Sequence, residues 1–463
     1  MPRPPALPAF LQPLHTDEFV APRFAPAERR VRTEVAATVA DRAARTGVPP
    51  AWAATSRTAT AVGLRALNRS VGATCYEVPE AAEVSDGAAA EVFAASGPVI
   101  DVQTHFLAPH SFRAMGRAFL FDMYQSLMPS WWSEMDDIDA WDFGEYLRNI
   151  FVESETALAV ITSGPGDLDA RNLFNDEMAA ARLLVDATGG RGRLLNHAVV
   201  HADTGDIERM PEWSERFAPV GWKVYTIRRL TESGWASGWM LDDEEHGLPF
   251  LDRVRGSGVK LVCSHKGISR LADNGSPRDI GPAAAAYPDI DFLVYHSGYE
   301  LASDGAPPEG PYVPEGNEHH GVDRLLHSLD VAGIPRGANV YAELGSTWFC
   351  LVSRPVEAAH VLGKLVARLG ADNIVWGTDS IWFGSPQPLI DAFRSFQIPD
   401  ELCERYGYEK LTDEVRQKIL AGNASRIYGL DLDAVVAQKR AHDDAWAIDL
   451  GERYRSGRIA AFR

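Results

Sequence analysis

The sequence predicts an α/β chain, a (β/α)8 barrel preceded by a helical extension, and three observations predict it. Eight short β-like runs lie between residues 98 and 380, helical patterns separate them, and five runs end in a residue that can bind a metal or take a proton. Alternating strands and helices indicate a parallel sheet, and a count of eight indicates closure into a barrel. In a barrel the C-terminal strand ends meet at one mouth, so groups distant in sequence converge on one site.

Residues 1–95 form the extension. A proline-rich start, MPRPPALPAFLQPL, leads to an Ala/Arg-rich helix, RRVRTEVAATVADRAARTG, stopped by Gly47 and Pro49-Pro50. A second helical piece covers about 58–70, and EAAEVSDGAAAEVFAASG runs into the first strand. The extension carries no recognisable chemistry and is expected to pack on the barrel or on a second subunit. The barrel is assigned to 96–430, with strands at 98–105, 156–162, 194–201, 221–227, 258–265, 291–297, 339–345 and 373–379. Helical patterns between them include NLFNDEMAAARLLVDATGG and PVEAAHVLGKLVARLG, the second closed by Gly370. Residues 431–463 read as a helical tail, and no internal repeat is visible. Two insertions break the rhythm on the catalytic face: 106–153, rich in large apolar groups including Trp131 and Trp132, and the Gly/Pro-dense 299–322.

Composition narrows the class. Among 463 residues, 46% are hydrophobic and 24% charged, which is ordinary for a soluble globular protein. The formal charge of −19 repels nucleic-acid backbones and anionic membranes. No stretch approaches the roughly 20 apolar residues of a membrane span. Cys75, Cys263, Cys350 and Cys403 lie far apart without a C-x-x-C, so reduced thiols and a cytoplasmic location are expected, and a cysteine zinc site is not. Arg29-Arg30 is followed by a charged, helix-like sequence, unlike a twin-arginine signal.

The polar strand ends are His105, Lys223, His265, His296 and Asp379. Alternate residues on a strand share a face, so Gln103 and His105 are expected to point together into the barrel. A lone His is more often a packed residue than a ligand, but His265 and His296 on successive strand ends, each followed closely by Gly, reverse that expectation. Neutral imidazole suits Zn, Fe or Mn alike. Asp379, in Trp376-Gly377-Thr378-Asp379-Ser380, is placed to ligate a metal or move a proton; the alternative is a helix cap, for which Ser380 and Ser385 also serve. His201 and Glu343, near the ends of the third and seventh strands, are further substrate candidates, with Trp131 and Trp132 beside them; Glu343 could instead replace the weak donor Gln103. Lys266 is expected to point away from the barrel centre. G-x-S-x-G, Walker A and G-x-G-x-x-G patterns are absent, against serine-hydrolase, P-loop and dinucleotide readings.

The run Ile100-Asp101-Val102-Gln103-Thr104-His105 resembles the D-x-H-x-H opening of the amidohydrolase superfamily, with Gln103 in place of the first His. His265, His296 and Asp379 match its later ligands, and LTDEVRQKILAGNASRIYGL (411–430) matches the closing helix of its amidohydrolase-2 branch, which includes aromatic-acid decarboxylases and lactone hydrolases. The resemblance covers about 96–430. It implies metal ligands Gln103, His105, Lys223, His265, His296 and Asp379, with Lys223 carboxylated and bridging two divalent ions (Zn, Fe or Mn), catalytic roles for Asp379, His296 and Lys223, and a homodimer. The expected activity is metal-dependent hydrolysis of an amide, ester or thioester of a bulky hydrophobic acid, with a small molecule as the only substrate class. The alternatives are a single-metal non-oxidative decarboxylase or hydratase of an aromatic or unsaturated acid, and a barrel that has become a binding scaffold.

Overall fold

A computed structural model describes residues 7–12, 26–94, 97–110, 141–164, 173–227, 229–231, 234–268, 273–300, 308–314, 320–441, 444–459 and 462. The apolar insertion between 111 and 140, with Trp131 and Trp132, lies outside the described residues.

All eight expected strands form. They are β1 (Val99–Thr104), β2 (Thr156–Ile161), β3 in two pieces (Leu194–Asn196 and Ala198–Val200), β4 (Trp222–Tyr225), β5 (Leu261–His265), β6 (Asp291–Tyr295), β7 (Val340–Glu343) and β8 (Ile374–Val375). Every ladder among them is parallel. The first piece of β3 pairs with β2 and the second with β4, so the sheet passes from one neighbour to the other across His197. Between β8 and β1 closure is made by single backbone bonds: Val102 N–H to Trp376 O at 3.2 Å, Asp379 N–H to Gln103 O at 2.9 Å and His105 N–H to Ser380 O at 2.7 Å. The fold is the expected parallel α/β barrel.

Strand alternation separates two apolar groups. Ile100, Val102, Leu158, Val160, Leu261, Cys263, Leu293, Tyr295, Tyr341 and Val375 cluster with one another. Trp222, Val224, Val262, Phe292, Val294, Val340 and Ala342 belong to the layer packed on the helices. Both faces are buried, as a parallel barrel requires. The inner rows run directly into the polar mouth, from Cys263 to His265 and from Tyr341 to Glu343.

The predicted helices appear with small shifts at their ends: Pro26–Thr46, Arg57–Val71, Asn175–Ala187 and Pro355–Leu369. The N-terminal helices pack on the barrel. Arg57 reaches Asp391 at 3.2 Å and Glu155 at 2.5 Å, Arg354 reaches Glu28 at 3.0 Å, and Tyr76 Oη donates to Val352 O at 2.7 Å. The tail is helical at Leu432–Ala441 and Ala445–Arg455. Among the described residues no helix is long and apolar enough to cross a membrane.

Candidate active site

The expected strand-end residues Gln103, His105, His265, His296 and Asp379 are fully buried at one end of the barrel, together with Glu343. Simple alternation does not bring all of them there. Val102 already faces inward, yet a register irregularity between Asp101 and Thr104 lets Gln103 and His105 aim at the mouth as well. His296 follows the inward Tyr295 and would point outward on a regular strand. Instead it turns through a positive φ of 64°, and Ser297 follows at 56°. Ser346 at 54° and Asp379 at 62° also have a positive φ. Each such residue costs on the order of 1–2 kcal/mol, and strain of this kind gathers at functional sites.

Hydrogen bonds fix the donors. His105 Nδ1 bonds Thr162 O at 3.0 Å, and its Nε2 lies 2.8 Å from Asp379 Oδ1. His296 Nδ1 bonds Gly345 O at 2.7 Å, and its Nε2 meets His265 Nδ1 at 3.0 Å. A ring nitrogen held by a carbonyl must donate, which leaves the opposite Nε2 of a neutral imidazole as an acceptor. His105 Nε2 and Asp379 Oδ1 are then two acceptors in contact, an arrangement that calls for a proton or a cation between them. His265, by contrast, donates its Nδ1–H to His296. Asp379 also accepts from Gln103 Nε2 at 2.7 Å and from Ser346 Oγ.

Beneath this pair, Asp101 accepts from Thr378 N–H at 3.0 Å and Thr378 Oγ at 2.5 Å, locking β1 to the residue before Asp379. Burial pushes the Asp101 carboxyl up to about 7 against these bonds. Glu343 accepts from Gly345 N–H at 2.5 Å and His296 N–H at 3.1 Å; burial, with repulsion from Asp379, holds it well above the usual carboxylate range. Burial drives His296 well below the usual imidazole value, helped by His265 and Lys223, so it stays neutral.

Lys223 stands lower in the barrel. In the ladder it is level with Cys263, whereas Tyr225 is level with His265. Its Nζ sits 3.5 Å from the ring centroid of Tyr295 and 4.7 Å from that of Tyr225. An ammonium is attracted to those ring faces, while a carbamate would meet their negative quadrupole. His201 is buried at the end of β3, its N–H bonded to Asp206 Oδ2 at 3.0 Å. Lys266 points outward, as expected, to Asp279 at 2.7 Å and Asn274 O at 2.8 Å.

Several site residues escaped the sequence reading. Ser346 and Thr162 lie just beyond strands and act through bonds that only the closed barrel creates. His197 lies at the break in β3, bonded to Tyr428 Oη at 3.0 Å and Tyr295 Oη at 3.2 Å, and burial lowers it to about 3. The one available signal was the Gly345-Ser346 pair just beyond the polar strand end Glu343.

For a divalent cation the residues fit in kind. The donors are nitrogen and oxygen, two imidazoles are oriented by backbone carbonyls, and Gln103 Oε1 is a buried polar atom with no hydrogen-bond partner among the described residues. A Cβ on Gly345 would collide with both Gln103 Oε1 and Glu343 Oε1, so a cradle of oxygens exists where side chains are missing. Among the described residues, no three or more His, Cys, Asp and Glu side chains are grouped so as to hold a metal ion; His105 pairs with Asp379 and His265 with His296.

The amidohydrolase family model matches residues 100–430. The chain belongs to the amidohydrolase family. It is thus a metal-dependent enzyme of that superfamily, and the match ends with the closing helix expected at 411–430. Similar solved structures include 2,6-dihydroxybenzoate decarboxylase from Rhizobium, 14% identical, covering 72% of this chain and 99% of that one with a TM-score of 0.44. Another is dihydroxybenzoic acid decarboxylase from Polaromonas sp. JS666 with bound manganese and 2-nitroresorcinol, 14% identical, covering 72% and 97%, TM-score 0.45. A third is the formyltransferase/hydrolase complex from Methylorubrum extorquens with methylofuran, 12% identical, covering 72% and 71%, TM-score 0.41. No curated protein matches the amidohydrolase chain.

Proposed function

We propose that this amidohydrolase hydrolyses an amide, ester or thioester of a small, bulky hydrophobic acid, using one divalent cation held by His105, His265, His296 and Asp379. The observation that supports it is the 2.8 Å contact between His105 Nε2 and Asp379 Oδ1, two acceptors whose orientation is fixed by other bonds. When bound, a divalent cation supplies Lewis acidity to a carbonyl and brings the pKa of a water toward neutrality.

The residues divide the remaining work. Asp379 Oδ1 receives the proton of the attacking water and returns it to the leaving group. Ser346 Oγ and Gln103 Nε2 hold that carboxylate in one orientation throughout. Thr162 O keeps His105 in the tautomer that presents Nε2, and Gly345 O does the same for His296, whose Nε2 exchanges its bond from His265 Nδ1–H for the cation. Burial of the whole cluster excludes bulk water, which strengthens each of these interactions. Lys223, as an ammonium on Tyr295, is left as a source of positive potential beneath the site rather than a bridge, so one cation replaces the expected pair.

The same placement favours a second reading, non-oxidative decarboxylation or hydration of an aromatic or unsaturated acid at a single cation. Elemental analysis of protein purified without chelator tests the centre. About one equivalent of Mn, Fe or Zn supports it, two would restore Lys223 as a bridge, and none after metal addition would sink the proposal. Screening the metal-loaded protein against esters, thioesters, amides and aromatic acids, with acid and CO2 release recorded separately, decides between the two reactions.

A further inference from the structure

The loss of the first His of the motif leaves the site a donor short, and the structure offers a replacement from another strand. Gln103 Oε1 is fully buried and has no hydrogen-bond partner among the described residues. An amide oxygen left in that state costs on the order of 1–3 kcal/mol, so a donor or a cation is called for beside it. Glu343 Oε1, from β7, converges on the same small space. A Cβ on Gly345 would strike both oxygens, and a Cβ on Gly377 would strike Glu343 Oε1 while crowding Gln103 Cβ. Two bare α-carbons therefore make the room in which the oxygens meet. Glu343 is aimed by two backbone bonds, Gly345 N–H to Oε1 at 2.5 Å and His296 N–H to Oε2 at 3.1 Å, and each carboxylate oxygen keeps a further lone pair. Gln103 is also tied to the rest of the site, since its Nε2 donates to Asp379 at 2.7 Å.

We propose that Glu343 supplies the metal donor that position 103 has lost, with Gln103 Oε1 as a neutral oxygen ligand beside it. This assignment rests on the cation proposed above and changes its character. A neutral imidazole is exchanged for an amide oxygen plus a carboxylate, so two carboxylates, Glu343 and Asp379, balance the two charges of the ion. More oxygen in the set favours Mn(II) over softer ions.

The test is calorimetric titration of Mn(II) into the metal-free full-length chain. Wild type is compared with Glu343→Gln, Glu343→Asp, Asp379→Asn and the double variant Gln103→His/Glu343→Gln. The expected result is an affinity loss of at least about 100-fold for Glu343→Gln, since a direct ligand should cost no less than the upper end of what outer partners of a metal cost, and at least about tenfold recovery when His returns at position 103. Glu343→Asp, which keeps the charge but withdraws the oxygens, is expected to fall between them and serves if the Gln variant does not fold. If Asp379→Asn loses Mn(II) while both Glu343 variants bind as wild type does, the cation centre stands and the Glu343 assignment is overturned. Loss in Glu343→Gln without rescue by Gln103→His also overturns it, because a purely structural role for Glu343 predicts that. If wild type takes up no Mn(II), Fe(II) or Zn(II), the cation centre itself falls, and this assignment with it.

Discussion

Acidification should unfold this chain in part through one histidine, His197, which belongs to no expected motif. The ring is fully buried at the break in β3, held by Tyr428 Oη at 3.0 Å and Tyr295 Oη at 3.2 Å, with Cys263 Sγ at 3.6 Å. Burial lowers its pKa to about 3, and the charge of Lys223 pushes the same way. The unfolded chain binds a proton at His197 below about pH 6.5, whereas the folded chain does not until about pH 3. The stability tied to neutral His197 is therefore fully present above pH 6.5 and is lost as pH falls toward 3. Between about pH 8 and about pH 4.5 the loss from this one group comes to about 3 kcal/mol. His197→Asn removes the titration while keeping a polar side chain. Urea unfolding of both proteins, followed by tryptophan fluorescence across that range, isolates the effect as the pH dependence of their difference. The stability advantage of wild type should shrink steadily below about pH 6.5. A difference that stays flat across the range would show that His197 is protonated in the folded chain, and the account of the buried cluster would be wrong.

Other expectations follow from single contacts. Ser346→Ala removes one donor from Asp379 Oδ2 and should weaken Mn(II) binding about tenfold with little change in melting temperature, as read by titration and thermal unfolding. Gly377→Ala drives a methyl into Glu343 Oε1 in a fully packed site, so it should cost roughly 1–3 kcal/mol in urea unfolding; an unchanged midpoint would mean that the approach is looser than drawn. Arg57→Ala leaves Asp391, buried and with its carboxyl already raised to about 6 by burial, without its cation, at a cost of roughly 3 kcal/mol. That deficit should be largest above pH 6, where Asp391 is charged, and should shrink as acid neutralises it, which unfolding at two pH values checks.

The eight strands were legible because each is a short apolar run bounded by turn residues, and the strand ends were legible because their polar residues interrupt those runs. His265 and Glu343 follow from period-two alternation alone, since each continues an inner row of its strand. His296 does not: it occupies an outward position and reaches the site only through a left-handed turn, a conformation no local pattern announces. Gln103 and His105 share the mouth with the inward Val102 because β1 is irregular where it meets its neighbour, and that depends on a strand nearly sixty residues away. The motif resemblance compensated for both, because it records where such residues end up rather than how they get there.

What the sequence determined by itself was the barrel, its helical extension, the family and the identity of most polar groups at the mouth. These are encoded by periodicity, by turn residues and by a motif whose parts lie along one chain. The tertiary structure alone decided depth and partnership. Lys223 and Tyr225 are two residues apart on one inward face, and only pairing with Cys263 and His265 shows which stands level with the imidazoles. Likewise the meeting of Gln103, Glu343, Ser346 and Asp379 joins β1, β7 and β8, whose order around the closed barrel sets which oxygens face one another. Distances of that kind are properties of the closed sheet, because each depends on the register of neighbouring strands rather than on any residue's own neighbours in sequence.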